Sequence, residues 1–167
     1  MIIYIIAGIV VVIILIFIIG LLLPKERVIN RKGYFNVSPE ILYGIVTNNN
    51  DWKYRRSLKN LVIHENKDGM EVWDEISHDG TVIRFQTKEK HPFSFYSFNM
   101  ETKLFTGYWI GEFESDGNNG TIFTATEYIC IKNPFIKTLS YLFFNIGKLM
   151  DEYQEDLQKK IKGSNHT

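Results

Sequence analysis

Residues 133–161 read NPFIKTLSYLFFNIGKLMDEYQEDLQKKI, and this stretch decides the fold. Asn133 can cap a helix, and Pro134 suits the first helical position. We predict one amphipathic helix of about 28 residues, near 42 Å long at roughly 1.5 Å per residue. Its apolar face needs a matching surface, which a strongly curved antiparallel sheet supplies. The apolar residues that recur at spacings of three and four are Phe135, Leu139, Leu142, Phe143, Ile146, Met150, Tyr153, Leu157 and Ile161.

Six strands are predicted immediately before this helix. Asp-Gly and Asn-Gly steps punctuate the sequence at 66–69, 78–80 and 116–120. Such steps between alternating segments are strong hairpin signals, so consecutive strands joined by them imply an antiparallel meander. The expected strands are 61–65, 70–76, 81–88, 93–100, 105–114 and 121–131.

One strand and two short helices are predicted before the meander. Residues 28–37 are typical of a strand, and Ser38 with Pro39 marks a helix start. Asp51 can cap a second short helix. The fold class is therefore expected to be α+β.

The N-terminal segment Ile2–Leu23 reads IIYIIAGIVVVIILIFIIGLLL and carries no charge. A helix of about 22 residues rises roughly 33 Å, close to the thickness of a bilayer's hydrocarbon core. We favour an uncleaved anchor over a removed signal peptide, because Met1 alone precedes the run and no small-residue cleavage site follows it. We therefore divide the chain into a transmembrane anchor (1–24), one domain (25–163) and a flexible tail (164–167).

Charges after the apolar run predict the orientation of the domain. Lys25, Arg27, Arg31 and Lys32 follow the run closely, while only the α-amino group precedes it. The positive-inside rule then places the domain on the cytoplasmic side of the membrane. The chain has one cysteine, Cys130, so it cannot form an intramolecular disulfide.

Composition and motifs exclude several classes of function. Lysine plus arginine equals aspartate plus glutamate, 19 against 19, so no overall charge attracts nucleic acid. The chain lacks H-E-x-x-H, a Cys-His cluster, G-x-S-x-G and glycine-rich phosphate loops. We therefore expect no metal, no cofactor and no assignable catalytic residue, and no motif identifies a protein partner. Whether the protein is an enzyme stays open.

The order of elements, and the residues at the boundaries between them, resemble those of the START-like, or SRPBCC, superfamily of polyketide cyclase/dehydrase and lipid-transport proteins. The likeness is greatest to membrane-anchored bacterial members. Five short motifs, spread over essentially the whole chain, carry it: Leu22-Leu23-Pro24-Lys25-Glu26, Phe35-Asn36-Val37-Ser38-Pro39-Glu40, Asn50-Asp51-Trp52, Thr124-Ala125-Thr126-Glu127 and Asn133-Pro134.

The resemblance implies a helix-grip fold, in which a seven-stranded curved antiparallel sheet holds the long C-terminal helix. It also implies an apolar cavity between sheet and helix, and an anchor in a bacterial inner or plasma membrane. One departure is visible. Family members often carry a second tryptophan where this chain has Lys53-Tyr54-Arg55-Arg56.

The expected function is therefore the binding of a hydrophobic small molecule, such as a lipid or an isoprenoid, by a domain anchored through residues 2–23. Glu127 is a mid-strand acid that could orient a polar group of the ligand. From element positions we expect the cavity to be lined by Trp52, Trp73, Phe85, Phe95, Phe98, Tyr108, Trp109, Phe123, Glu127, Phe143 and Met150.

Two alternatives from other functional classes remain. The domain could be a cyclase or dehydratase that uses an inward charge such as Glu127 or Arg84 as acid, base or anchor. It could instead be an interaction module with a filled interior. The apolar residues of 135–150 that lie off the main helix face could form a cavity entrance, contact the bilayer, or be covered by loops or a partner.

Overall fold

The computed structural model describes residues 1–164. The helical elements, in chain order, are α1 (Ile2–Leu22), α2 (Pro39–Val46), a 3-10 turn (Asn49–Asp51), α3 (Pro134–Phe143) and α4 (Ile146–Ser164). The strands are β1 (Glu26–Phe35), β2 (Leu58–Lys67), β3 (Met70–Ser77), β4 (Val82–His91), β5 (Phe95–Glu101), β6 (Thr106–Ser115) and β7 (Thr121–Cys130).

The strands form one antiparallel sheet of seven strands in the order β1-β7-β6-β5-β4-β3-β2. The six predicted strands of the meander are all present, and β1 returns to pair with β7 along its full length. Register shifts interrupt β2 and β4, and such bulges bend a strand and increase its twist. The predicted α+β helix-grip fold is confirmed.

The two faces of the sheet are chemically distinct. In β7 the buried residues Phe123, Ala125 and Ile129 alternate with more exposed ones, so they share the inner, concave face. Tyr128 points to the outer face, where its ring stacks on Tyr108 at 4.1 Å between centroids.

Helix α4 covers the inner face. Ile146, Met150, Leu157 and Ile161 are buried against the sheet, as the periodicity predicts. Polar contacts fix the helix along the edge strand: Gln154 donates to the carbonyl of Arg31 at 3.3 Å, and Gln158 to that of Tyr34 at 2.6 Å. Buried Asp156 accepts a hydrogen bond from the Arg56 backbone at 2.9 Å and ties the segment before β2 to the helix.

The prediction of one continuous C-terminal helix is wrong, because the helix breaks at Phe144 and Asn145. Phe144 is extended, with φ −115° and ψ 106°. The Asn145 side chain then accepts a hydrogen bond from the Lys148 backbone at 3.0 Å and caps α4. Arg27 donates to the carbonyls of Ser140 and Phe144 at the end of α3, where the Ser140 carbonyl also accepts the Phe144 backbone N–H.

Helix α3 packs against α1 instead of continuing along the sheet. The Thr138 hydroxyl donates to the Ile16 carbonyl at 2.9 Å, and the rings of Phe17 and Phe135 lie 5.2 Å apart. The helices approach so closely that a Cβ at Gly20 would lie 2.0 Å from the Pro134 carbonyl oxygen. Helix α1 is long and apolar enough to cross a membrane by length and composition.

Two smaller expectations have different outcomes. The second short helix is a 3-10 turn that begins before Asp51 and is capped by Asn48, whose side chain accepts from the Asn50 backbone. Of the tail expected at 164–167, Ser164 belongs to α4, and residues 165–167 lie outside the described part of the chain.

Replacing Leu157 by alanine should lower the free energy of unfolding by about 2–5 kcal/mol, because the side chain is fully buried between α4 and the sheet. Leu104→Ala is the matched control, since Leu104 is 58% exposed in the β5–β6 turn and should change stability by less than about 0.5 kcal/mol. Denaturant unfolding of the full chain in detergent micelles measures both. Equal losses for the two variants would contradict the packing described.

Candidate functional site

A cavity of about 230 Å³ lies between the inner face of the sheet and the helices α3 and α4. It is somewhat smaller than typical small-molecule sites, which begin near 300 Å³. It is larger than an apolar cavity of roughly 150 Å³ that holds benzene. The space therefore suits a compact group, such as one or two rings or a short branched chain.

Aromatic rings form the sheet side of the cavity. Trp73 stacks on Phe85 at 5.3 Å, and Phe98 stacks on Trp109 at 4.9 Å. The two stacks meet edge to face, with 5.5 Å between the centroids of Trp73 and Phe98. These offset and perpendicular arrangements are favourable for aromatic pairs, so the wall is a rigid one.

Small residues on β6 and β7 allow the large rings to pack on the inner face, and Ala125 among them lines the cavity. Gly107 and Gly111 share the inner face with Trp109, and Ala125 faces Gly111 across the strands. A Cβ at Gly111 would lie 2.3 Å from the Trp109 ring, so glycine is required there for the ring to lie as it does. Gly111 thus makes room for the Trp109 ring, and the small side chain of Ala125 leaves space in the cavity beside that ring.

A buried ion pair lies on one side of the cavity. Arg55 donates two hydrogen bonds to Glu75, at 2.6 and 2.7 Å, and the Trp73 indole N–H donates a third at 3.1 Å. Burial alone would lower the pKa of Arg55, but the charge and hydrogen bonds of Glu75 outweigh burial and raise it. The Arg55 guanidinium also lies 5.4 Å from the centroid of the Tyr153 ring.

Glu127 is the second acid of the cavity. It lies on the inner face of β7, opposite Trp109 on β6 and Ile29 on β1. Burial, and secondarily the negative charge of Glu75, raise the pKa of the Glu127 carboxyl to about 7. Within residues 1–164 the structure shows no hydrogen bond or ion pair to this carboxyl.

The mouth of the cavity coincides with the break between α3 and α4. Phe144 and Leu149 flank the break, line the cavity and are solvent-exposed, so the cavity reaches the surface there; Arg27, Ser140 and buried Ile146 line the cavity as well. The Arg27 guanidinium lies 4.7 Å from the centroid of the Tyr141 ring while it binds the end of α3. The same residues thus hold the break open and form the entrance.

The structure brings six of the residues expected from sequence to this cavity and places five elsewhere. Those that line it are Trp73, Phe85, Phe98, Trp109, Glu127 and Met150. Phe123 is fully buried in the core behind the cavity, and Trp52 packs at the core margin. Phe95 and Tyr108 lie on the outer face, beside His91 and Tyr128. Phe143 is 81% exposed at the end of α3.

Sequence reasoning missed Arg55, Glu75 and Tyr153 as cavity residues. Arg55 belongs to the segment 53–56, where the chain departs from the superfamily pattern, and that departure was the available signal. Glu75 follows Asp74 in β3, and the strand's alternation sends the two acids to opposite faces. Asp74 pairs with Arg84 on the outer face, so Arg84 does not enter the cavity.

An outer groove of about 380 Å³ is larger than the cavity but is lined by surface residues such as Arg84, Gln86, Glu101 and Tyr108. Arg84 is already bound to Asp74 by two hydrogen bonds at 2.9 and 3.0 Å. The aromatic cavity is therefore the stronger candidate for a ligand. Among the described residues, no group of three His, Cys, Asp or Glu side chains could hold a metal ion.

Solved structures share this fold at low sequence identity. The aromatase/cyclase ZhuI from Streptomyces sp. R1128 matches with a TM-score of 0.70 and 7% identity over 82% of this chain and 94% of that one. Norcoclaurine synthase from Thalictrum flavum matches at 0.64 and 11%, over 84% and 96%.

A third match is the di-domain aromatase/cyclase StfQ of the steffimycin pathway, with a TM-score of 0.66 and 14% identity over 86% of this chain. This chain spans about half of that protein, 53% of its length. No protein-family model matches the chain, and no curated protein is significantly similar to it in sequence. The likeness establishes the helix-grip fold.

Replacing Glu127 by glutamine should remove a pH dependence of stability. The folded-state pKa of about 7 lies above the ordinary value of 4.5, so ionisation is disfavoured in the folded state. The wild type should therefore lose stability as pH rises from about 4.5 to about 7 and level off above that range. The loss is on the order of 3 kcal/mol.

Denaturant unfolding of the full chain in detergent micelles, from about pH 5 to about pH 8, measures this difference. Glu112→Gln is the matched control, because Glu112 is an exposed glutamate on the outer face of β6. A stability difference between the wild type and Glu127→Gln that is constant across this pH range would contradict the assignment.

Proposed function

We propose that the protein is a membrane-anchored domain that binds a compact hydrophobic molecule, a lipid or a lipid-like compound, in the cavity under α4. The observation that carries this proposal is an aromatic-walled cavity with an open mouth, in a domain whose neighbouring helix is long and apolar enough to span a bilayer. Apolar cavities with a few convergent polar groups are the usual setting of small-molecule sites.

The structural neighbours are in line with a small-molecule role. Two are aromatase/cyclases, and norcoclaurine synthase has been crystallised in complex with dopamine and hydroxybenzaldehyde. Identities of 7–14% for these proteins carry the fold but not the ligand. The proposal therefore rests on the cavity of this chain, and the neighbours support only its general class.

Packing between α1 and α3 supports an anchor that is retained. A removed signal peptide leaves no contact in the mature protein, whereas here Thr138 is buried against the Ile16 carbonyl. Gly20 is also the one residue of α1 that is buried, directly against Pro134. With Lys25, Arg27, Arg31 and Lys32 after α1, the domain then faces the cytoplasm.

Exposed apolar residues around the cavity mouth support direct contact with the bilayer. Leu142 is 67% exposed and Phe143 is 81% exposed, at the end of the helix that packs on α1. Phe144 and Leu149 at the mouth are also exposed. A helix held beside a transmembrane span can place such residues in the interfacial region, where their burial is favourable.

A cyclase- or dehydratase-like enzyme is the second candidate, and the raised pKa of Glu127 inside the cavity is the observation that favours it. Arg84 is excluded from this role by its outer position. An enzyme whose acid is Glu127 would convert a bound compound that Glu127→Gln leaves unconverted, and mass spectrometry of the bound compounds distinguishes substrate from product. The third candidate, an interaction module, required an interior filled by side chains, and the domain instead has an open cavity.

The first prediction of this proposal is that the full chain carries a specific compound. Native mass spectrometry of the protein purified in mild detergent should detect a bound hydrophobic molecule. Ala125→Phe should lose it, because Ala125 lines the cavity and a benzyl side chain fills the space. The wild type and Ala125→Phe both retain α1, so lipids bound to that helix appear in both mass spectra and do not affect the comparison.

Ile83→Trp fills the same cavity from β4. It provides a second cavity-filled protein for the same measurement if Ala125→Phe does not fold. Unfolding curves establish which variants are folded. A wild type that is consistently empty, or folded cavity-filled variants that retain the same compound, would refute the proposed function.

The second prediction concerns Phe143. In a Cys130→Ser background, an environment-sensitive dye at Phe143→Cys should emit from an apolar environment in nanodiscs and be quenched by brominated lipids. A dye at Asp68→Cys, in the β2–β3 turn, should report water and stay unquenched. Equal emission from both sites would show that the end of α3 does not contact the bilayer.

A further inference from the structure

Four charged side chains line the cavity, and three of them have partners. Arg55 and Glu75 bind each other at 2.6 Å, and Arg27 binds the end of α3. Glu127 is the exception within the described chain, because no donor of residues 1–164 binds its carboxyl. A largely buried acid without a partner is costly, which makes Glu127 the charged side chain of the cavity most available to a ligand.

The surroundings of Glu127 are aromatic and close to the empty volume. Trp109 pairs with it across β6 and β7, and its own strand neighbours on the inner face are Ala125 and Ile129. The stack of Phe98 and Trp109 therefore flanks the carboxyl, while Ala125 leaves room beside it. Ring faces attract cations and accept apolar groups, so the same wall suits either kind of ligand head.

Charge around Glu127 disfavours an acidic ligand. The positive charge of Arg55 is already neutralised by two hydrogen bonds to Glu75, which leaves only its buried Nε without a partner. Glu75 and Glu127 together place two carboxyls against one guanidinium. The second cation of the cavity, Arg27, lies at the break between α3 and α4 and binds the end of α3. An anion placed beside Glu127 would therefore meet the repulsion of that carboxyl and of Glu75.

We propose that the ligand of this cavity presents a hydrogen-bond donor, a hydroxyl or a protonated amine, to the Glu127 carboxyl, and that carboxylic acids are rejected. This inference rests on the proposed ligand-binding function and specifies its ligand class. It excludes free fatty acids, which would otherwise be obvious occupants of an apolar cavity near a membrane. A site built to bind a polar head discriminates strongly, because a mismatched head leaves a buried group unpaired.

Three probes with one ring and different heads test the proposal: cyclohexylmethanol, cyclohexylmethylamine and cyclohexanecarboxylate. Methylcyclohexane, which has no polar head, reports the contribution of the ring alone. Each is titrated at about pH 7.5 into the full chain in nanodiscs, with calorimetry and the emission of the cavity tryptophans as readouts. Empty nanodiscs and the cavity-filled variant Ala125→Phe correct for partition into lipid.

The wild type should bind the alcohol and the amine at least about tenfold more tightly than the carboxylate, since one pairing of this kind contributes about 1.4 kcal/mol or more. In Glu127→Gln the amine and the carboxylate should come within about threefold of each other, because the amide carries no charge and can donate to an anion. Methylcyclohexane should bind the wild type and Glu127→Gln alike.

Failure of the inference and failure of the proposed function give different results. If the carboxylate binds the wild type as tightly as the alcohol, or if Glu127→Gln keeps the original ranking, the donor assignment is overturned while ring binding still stands. If none of the four probes, methylcyclohexane included, binds the wild type more than Ala125→Phe, the ligand-binding function fails with it.

Discussion

The packing of α4 across the concave face of the sheet is the constraint on which the rest of the structure depends. Leu157 and Ile161 fill one end of the concavity completely, so the sheet and helix are locked together there. Toward the other end the cavity lies between the sheet, where Ala125 carries only a methyl group, and the start of α4, where Ile146 and Met150 line it. A closed core and an open cavity are therefore two ends of one interface.

The break at Phe144 and Asn145 gives the two C-terminal helices different packing partners. Had the helix continued, its N-terminal half would have followed the sheet and closed the cavity mouth. Arg27 and the Asn145 cap stabilise the break by binding the backbone groups that it frees. Helix α3 is thereby released to pack on α1, and its apolar residues remain exposed.

Much of the fold could be predicted from the sequence because the signals are local. Turn glycines and alternating strands predict the meander, and the spacing from Ile146 to Ile161 predicts the buried face of α4. The break was missed because the apolar helical spacing continues across it from Phe143 to Ile146, and the contacts that favour the break come from Arg27 and α1, far away in sequence. The cavity was predictable only in part. Aromatics in β3 to β6 alternate between faces, and the sequence does not say which face is concave, so Tyr108 was expected inside although it stacks on the outer face.

The short connection between α1 and β1 has a mechanical consequence. Only Leu23, Pro24 and Lys25 separate the end of the helix from the first strand, a reach of about 13 Å at most. Helix α3 also packs beside α1, so the domain is held close to α1 and cannot move far from it. Under the anchoring proposed above, the domain would stay at the surface of the bilayer, and a bound molecule could reach a distant acceptor only if that acceptor approached the membrane.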